Sequence, residues 1–83
     1  MKTASPQKSK APRIDQVALG RRIRETRGFD TTQEAFARRI GIAQSYLSNL
    51  ERGTKEPGAA VLLAIGREFG VSIDWLLTGK ARK

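Results

Sequence analysis

The sequence predicts a compact all-α domain of five short helices. Apolar residues recur at helical spacing in five segments, and a glycine follows each of them, at positions 28, 41, 53, 70 and 79. Links of two to six residues separate the segments, and no stretch shows the alternation that is typical of a strand. Short helices, short links and no strands indicate the all-α class.

The positive charge lies mostly at the two ends of the chain. Residues 1–13 hold four basic and no acidic residues and have nothing to bury, so they are predicted to form a disordered basic arm, either a solubilising tail or a source of phosphate contacts. Residues 80–83 form a second basic tail. Residues 14–79 contain nine basic and eight acidic residues, although the whole chain carries +8. Net charge is therefore a weak argument that the folded part binds nucleic acid.

The composition excludes several classes of function. The chain has no cysteine and no histidine, which rules out disulfides, thiolate or imidazole metal sites and histidine-based catalysis. No nucleophile stands beside a base, so neither an enzyme nor a bound cofactor is expected. No apolar run reaches the length of a membrane span, which fits a cytoplasmic protein without a membrane partner.

The first helix is predicted to begin at Asp15, an acceptable N-cap, and to end at Gly28. Leu19, Ile23 and Thr26 recur at i, i+4 and i+7 and form its expected buried stripe. Thr26 is a polar intrusion in that stripe, where a leucine would pack better.

The second helix is predicted to start at Thr31 as N-cap, with Glu34 three residues later completing a capping box, and to run to about Ile40. Gln33 then lies in the first turn, beside backbone N–H groups that have no partner within the helix. Those groups and the helix dipole favour an anion, so a phosphate is a reasonable occupant. Gly41 is expected to turn the chain sharply into the third helix.

The third helix, from about Gln44 to Arg52, has an unusual outward face. Leu47 and Leu50 point inward, whereas the outward positions are Gln44, Ser45, Ser48, Asn49 and Arg52. A solvated helix face usually carries Glu and Lys, but amides and hydroxyls beside a positive charge are the groups that read base edges and bind phosphates. Ala43 is a poor N-cap, and its methyl group suits contact with a thymine methyl.

Two further helices complete the prediction. The fourth, about Ala59 to Phe69, is apolar almost all round, so it is either the central and most buried helix or a helix that also meets a protein partner. The fifth, Ile73 to Leu77, is capped by Ser72. Its expected contribution to the core is Trp75 with Leu76 or Leu77.

The chain from Leu19 to Gly79 resembles the helix-turn-helix domain of phage repressors and Cro-like regulators, the Xre family. The matching residues follow one another in the family's order: LGRRIRETR at 19–27, Gln33, FA at 36–37, IG at 40–41, LERG at 50–53, Pro57 and GVSIDWLL at 70–77. The resemblance implies a five-helix, lambda-repressor-like DNA-binding domain over residues 14–79. The loop after the first helix looks one residue shorter than is usual in the family.

The resemblance also implies a role for each matching residue. Ala43, Gln44, Ser45 and Asn49 occupy the positions that face base edges in the major groove. Gln33, Tyr46, Arg52 and Lys55 match positions that contact the DNA backbone, and Tyr46 is equally compatible with a purely structural role. Arg27 and Glu51 match a structural ion pair, for which Arg24 is an alternative partner because of the short loop.

Two functions of different classes follow from these residues. The first is a sequence-specific regulator of transcription, expected to be a repressor, that binds a roughly palindromic double-stranded operator as a weak homodimer assembled on DNA. The second is an antitoxin-type module of a toxin–antitoxin pair, which binds a protein through the fourth helix and also binds DNA.

Overall fold

The computed structural model describes residues 11–83. These residues form five helices, which are α1 Gln16–Arg27, α2 Gln33–Ile40, α3 Gln44–Arg52, α4 Ala59–Phe69 and α5 Ile73–Thr78. No strand occurs in this part of the chain, which confirms the predicted all-α fold. The predicted basic arm lies outside the described residues, apart from positions 11–13, which are exposed and not helical. None of the five helices has the length and apolar character needed to cross a membrane.

Side-chain caps start three of the helices, and one of them differs from the prediction. Asp15 accepts a hydrogen bond from the N–H of Ala18 at 3.1 Å, and Ser72 accepts one from Trp75 at 3.0 Å. The cap of α2 is Thr32, whose hydroxyl accepts from the N–H of Ala35 at 3.0 Å. These bonds satisfy N–H groups that have no partner within the helix.

The predicted capping box of Thr31 and Glu34 is therefore wrong. The helix begins one residue later than expected, so Glu34 is its second residue and does not reach back to the cap. Glu34 forms an exposed ion pair with Arg38 instead, at 3.6 Å. The backbone carbonyl of Thr31 accepts a hydrogen bond from Nη1 of Arg27 at 2.9 Å, which holds Thr31 outside the helix.

The turn between α2 and α3 is closed by Gly41, which has φ of 78° and ψ of 32°. Its N–H and that of Ile42 donate to carbonyls of the last turn of α2, at 3.3 Å and 2.9 Å. Left-handed backbone is costly for residues with a Cβ, and this explains the glycine. The turn sets α3 across α2 and directs the polar side of α3 away from the core.

The core is built mainly by the first three helices. Seven of the nine buried apolar residues lie on α1, α2 and α3, and the full set is Leu19, Ile23, Phe36, Ala37, Ile40, Leu47, Leu50, Ile65 and Leu76. Thr26 is only half-buried, and its hydroxyl donates to the carbonyl of Arg22 at 2.9 Å. The expected stripe of α1 thus ends at Ile23.

Helix α4 is not the most buried helix, contrary to one of the two interpretations of its apolar surface. Only Ile65 on this helix is fully buried, while Leu63 leaves 42% of its surface exposed. The helix docks on α2 through a stack of Phe36 and Phe69, whose ring centroids lie 4.5 Å apart. Arg39 covers the other side of Phe69. The apolar side chains of α4 that do not reach the core form a half-exposed surface.

Helices α1 and α3 approach each other closely at Gly20. A Cβ placed on Gly20 would lie 2.7 Å from the carbonyl oxygen of Glu51 and closer still to that of Leu50. Only glycine fits there without displacing the backbone of α3. Gly20 therefore sets the distance between α1 and the helix that carries the polar face.

Candidate nucleic-acid interface

The N-terminal half of α3 presents three neighbouring side chains to solvent. Ala43, Gln44 and Ser45 are exposed, whereas Leu47 behind them is fully buried. Ala43 is the N-cap residue of α3 and provides no side-chain hydrogen bond to the helix. The methyl group of Ala43 lies on the outward surface. The missing cap hydrogen bond lowers the stability of the helix by about 1 kcal/mol.

Gln33 bridges α2 to α3 with both ends of its amide. Its Oε1 accepts from Nε2 of Gln44 at 3.3 Å, and its Nε2 donates to Oε1 of Glu51 at 2.9 Å. Because Glu51 can only accept, the nitrogen of Gln33 must face Glu51 and its oxygen must face Gln44. Among residues 11–83, no group contacts the carbonyl oxygen or the second N–H of Gln44, which leaves both for an external partner. The structure thus brings together two predicted site residues, and Glu51 orients both.

Arg27 and Glu51 form a two-bond ion pair across α1 and α3. Nε of Arg27 donates to Oε2 at 2.7 Å and Nη2 donates to Oε1 at 3.0 Å, in the geometry that suits a guanidinium and a carboxylate. The side chains are 15% and 5% exposed. The hydrogen bonds from Arg27 to Glu51 and their mutual attraction raise the pKa of Arg27, against the opposing effect of burial. Arg24, the alternative partner, is exposed.

Arg52 and Asn49 are linked at the C-terminal end of α3. The guanidinium of Arg52 donates to the hydroxyl of Ser48 and to Oδ1 of Asn49, both at 2.7 Å. Thr54, in the following turn, donates to the same Oδ1 at 3.1 Å. Sequence reasoning missed Thr54 because its contact depends on the left-handed turn at Gly53. A threonine directly after a helix-ending glycine is the only signal that pointed to it.

The side chains of Tyr46 and Lys55 differ in their availability for binding an anion. The Tyr46 hydroxyl donates to the backbone carbonyl of Glu56 at 3.1 Å, so its hydrogen holds the turn after α3. Lys55 lies in that turn and is exposed. Its ammonium group has no hydrogen-bond or ion-pair partner among residues 11–83, which leaves it available to a phosphate.

The exposed groups of this site are suited to recognise a polar or anionic partner. Among the described residues, no group of acidic side chains is suited to hold a metal ion. The outward face of α3 offers amide, hydroxyl and guanidinium groups. A hydrogen-bond chain from Gln44 to Arg27 holds the amide at its N-terminal end, and a separate cluster holds Asn49 and Arg52 at its C-terminal end. Such groups bind polar edges and anions.

Comparison with protein families gives a match to the helix-turn-helix family over residues 21–76. The match covers α2, α3 and the turn between them, together with most of α1, all of α4 and the first part of α5.

Similar proteins of known sequence include several regulators. YazB of Bacillus subtilis, an HTH-type transcriptional regulator, is 41% identical over 58 residues, which are 69% of this chain and 84% of YazB. The propionyl-CoA carboxylase regulator of Cereibacter sphaeroides is 37% identical over 65 residues, 77% of this chain. An HTH-type transcriptional regulator of Haemophilus influenzae is 38% identical over 48 residues, 58% of this chain. The chain spans only 14% and 20% of the lengths of these last two proteins.

Similar solved structures include a repressor bound to DNA. The P22 c2 repressor, in complex with a synthetic operator, superposes with a TM-score of 0.70 at 33% identity, over 75% of this chain and 96% of the repressor. The restriction-modification controller protein C.AhdI from Aeromonas hydrophila gives 0.69 at 28% identity, over 76% of this chain and 97% of that protein. SinR, solved in a complex with SinI, gives 0.68 at 31% identity, over 75% of this chain and 62% of the matched chain.

Proposed function

Because the chain belongs to the Xre/Cro-type helix-turn-helix family of DNA-binding transcriptional regulators, we propose that it represses transcription by binding a specific double-stranded operator. In this proposal α3 enters the major groove. The polar face of α3 has the groups that base edges require, and α3 has the length to lie along several base pairs. A cytoplasmic location is part of the proposal, since operator DNA must be accessible.

The observation that carries the proposal is the hydrogen-bond chain from Gln44 through Gln33 to Glu51. An exposed glutamine costs conformational entropy to immobilise, and a binding surface that holds it in advance avoids that cost on binding. The free carbonyl oxygen and the free N–H of Gln44 match the donor and the acceptor of an adenine edge. Ser45 and the methyl group of Ala43 are its neighbours on the same surface.

Contacts to the DNA backbone are proposed on both sides of the base-reading residues. Gln33 is the first residue of α2, where backbone N–H groups and the helix dipole favour a phosphate. Arg52 and Lys55 lie at and just beyond the end of α3, and both are exposed. The proposed contact through Tyr46 would use its hydroxyl only if the bond to Glu56 opened.

Substitution of Gln44 tests whether this residue contributes to base recognition or only to general affinity for DNA. We expect Gln44→Ala to weaken binding to the cognate operator by about 1–3 kcal/mol and to leave binding to random DNA almost unchanged. Lys55→Ala is the matched control, because loss of a phosphate contact weakens binding to all sequences alike. Operators are first obtained by selection from random DNA, and affinities are then measured by gel shift. Equal losses on cognate and random DNA for Gln44→Ala would refute the base-reading role.

A weak homodimer assembled on DNA is proposed as the binding form. Two copies of α3 about 34–36 Å apart would meet successive major grooves of a roughly palindromic operator. The half-exposed apolar side chains of α4, Leu63 among them, support a protein contact on this helix, with a second copy or with another protein. Light scattering after size exclusion is expected to give two chains per operator. One chain per full operator at saturating protein would contradict the dimer.

A protein-binding antitoxin is the second candidate, favoured by the same apolar surface of α4. In that case the surface is covered by a toxin in place of a second copy. The genomic neighbourhood distinguishes the two candidates, because an antitoxin is encoded beside its toxin.

A further inference from the structure

The carbonyl oxygen of Asn49 is already used twice within the protein. It accepts one hydrogen bond from Nη2 of Arg52 at 2.7 Å and another from the hydroxyl of Thr54 at 3.1 Å. The single hydrogen of the Thr54 hydroxyl is shared between this oxygen and the backbone carbonyl of Asn49, whereas Arg52 is a charged donor at the shorter distance. The amide nitrogen Nδ2 donates to no residue within 11–83. Asn49 therefore turns its carbonyl oxygen toward Arg52 and Thr54 and its two N–H donors toward an external partner.

The two groups that contact this oxygen are themselves held in place. Arg52 also donates to the hydroxyl of Ser48 one turn earlier, at 2.7 Å. Thr54 also contacts the backbone carbonyl of Asn49, through its hydroxyl at 3.2 Å and through its N–H at 3.0 Å. The amide of Asn49 is thus oriented from both sides, with its nitrogen turned away from Arg52 and Thr54.

Gln44 and Asn49 therefore present different patterns on one face of α3. Gln44 keeps a free acceptor and a free donor, since only one N–H is used by Gln33. Adenine shows an acceptor and a donor in the major groove, whereas guanine shows the two acceptors O6 and N7. A side chain that presents only donors matches the two acceptors of guanine. At adenine, one of its donors would face the N6 donor, and no hydrogen bond could form between them.

We propose that Asn49 selects guanine over adenine by donating from Nδ2 to guanine O6, where adenine has a donor instead. Arg52 and Thr54 act as positioning residues that prevent the carbonyl oxygen of Asn49 from accepting the N6 hydrogen of adenine. This inference rests on the proposed function, because it assigns a base to one residue of the proposed reading surface.

The test compares operators selected by the wild type and by Asn49→Ala. The position whose base preference is lost in the variant is the position that Asn49 reads, and we expect guanine there. The wild type is then expected to bind the guanine operator about tenfold more tightly than the same operator with adenine at that position. Asn49→Asp keeps an oxygen for Arg52 and Thr54 but removes both donors. This variant is expected to reduce the guanine-to-adenine affinity ratio to about one or below, because its outward oxygen can accept from adenine N6 and repels the acceptors of guanine.

A second variant frees the carbonyl oxygen and leaves the amide donors intact. In the double substitution Arg52→Met with Thr54→Val, we expect the same ratio to fall, because the released oxygen can now accept from adenine. The ratio is insensitive to the uniform loss of affinity that removal of a positive charge causes. Arg67→Met on α4 is the matched control and is expected to keep the wild-type ratio. Circular dichroism of each variant verifies that it is folded.

Three results would overturn the inference while leaving specific DNA binding intact. The first is that Asn49→Ala changes the base preference at no operator position. The second is that Asn49→Ala loses the preference at a position where the wild type selects adenine. The third is that Asn49→Asp retains the preference for guanine. A wild-type selection that returns no motif at all would refute the proposed function itself, and the assignment of guanine with it.

Discussion

Glu51 joins three helices and orients Gln33 with one side chain. Its carboxylate accepts from Arg27 of α1 and from Gln33 of α2, while the residue itself lies on α3. With 5% of its side chain exposed, little water can replace either partner. The residue that joins three helices is thus also the one that sets the direction of the amides of Gln33 and Gln44.

Removal of Glu51 is expected to cost far more stability than removal of an exposed acid. Glu51→Ala leaves the charge of Arg27 without its partner in a nearly buried position, and we expect a loss of about 3–5 kcal/mol. Glu68→Ala breaks the half-exposed pair with Arg39, where water screens the charges, and should cost less than about 1 kcal/mol. Urea denaturation measures both free energies of unfolding, and similar small losses for the two variants would contradict the role of Glu51.

At the scale of the helices, the position of the recognition surface depends on how α3 is held against α1. Gly20 permits the close approach, and Arg27 with Glu51 fixes it. Phe36 and Phe69 fix α4 against α2 in the same way, through an aromatic stack. The polar face of α3 is therefore supported by the core and by one ion pair.

Gly20→Ala tests the contact between these two helices. Alanine is the better helix former by about 1 kcal/mol, yet its Cβ would be forced into the backbone of α3. We expect a net loss of about 1–3 kcal/mol in thermal denaturation, together with weaker operator binding. Gly58→Ser is the control, since nothing lies within 4 Å of its Cβ and serine is a good N-cap for α4. A Gly20→Ala variant as stable as the control would show that α3 can move without cost.

Over the whole molecule, the excess positive charge lies at the ends of the sequence. The ends of the sequence hold seven of its sixteen basic residues and no acidic residue, whereas residues 14–79 are nearly neutral. The predicted C-terminal tail is not entirely free, because Lys83 pairs with Glu25 at 2.6 Å and lies over the ring of Trp75. We propose that the first thirteen residues contribute most of the attraction to DNA and that the outward face of α3 contributes the selectivity.

Deletion of residues 1–10 is expected to weaken binding to all DNA sequences and to preserve base preference. The deletion removes Lys2, Lys8 and Lys10. The slope of log affinity against log salt should become shallower by about 0.9 for each lysine that contacts a phosphate, because fewer counterions are released. Gln44→Ala is the control, with an unchanged slope. If the shortened protein selects a different DNA motif, residues 1–10 also contribute to base preference, which contradicts the prediction.

Local patterns made the fold and most of the outward surface predictable. Helical spacing, the caps at Asp15 and Ser72 and the glycines that end the helices depend on interactions within a few residues of sequence. The same locality explains the errors in the cap of α2 and in the burial of α4. The choice between Thr31 and Thr32 depended on a contact from Arg27, and the burial of α4 depended on how much of it the other helices cover.

By itself, the sequence determined the number and order of the helices, the residues on the outward face of α3 and the separation of the charged ends from a nearly neutral body. These properties follow from local spacing and composition. Only the tertiary structure decided that Arg27 and not Arg24 meets Glu51, and that Gln33 links Gln44 to Glu51. The direction of a hydrogen bond depends on which groups meet in space, and residues distant in sequence meet only after the helices have packed.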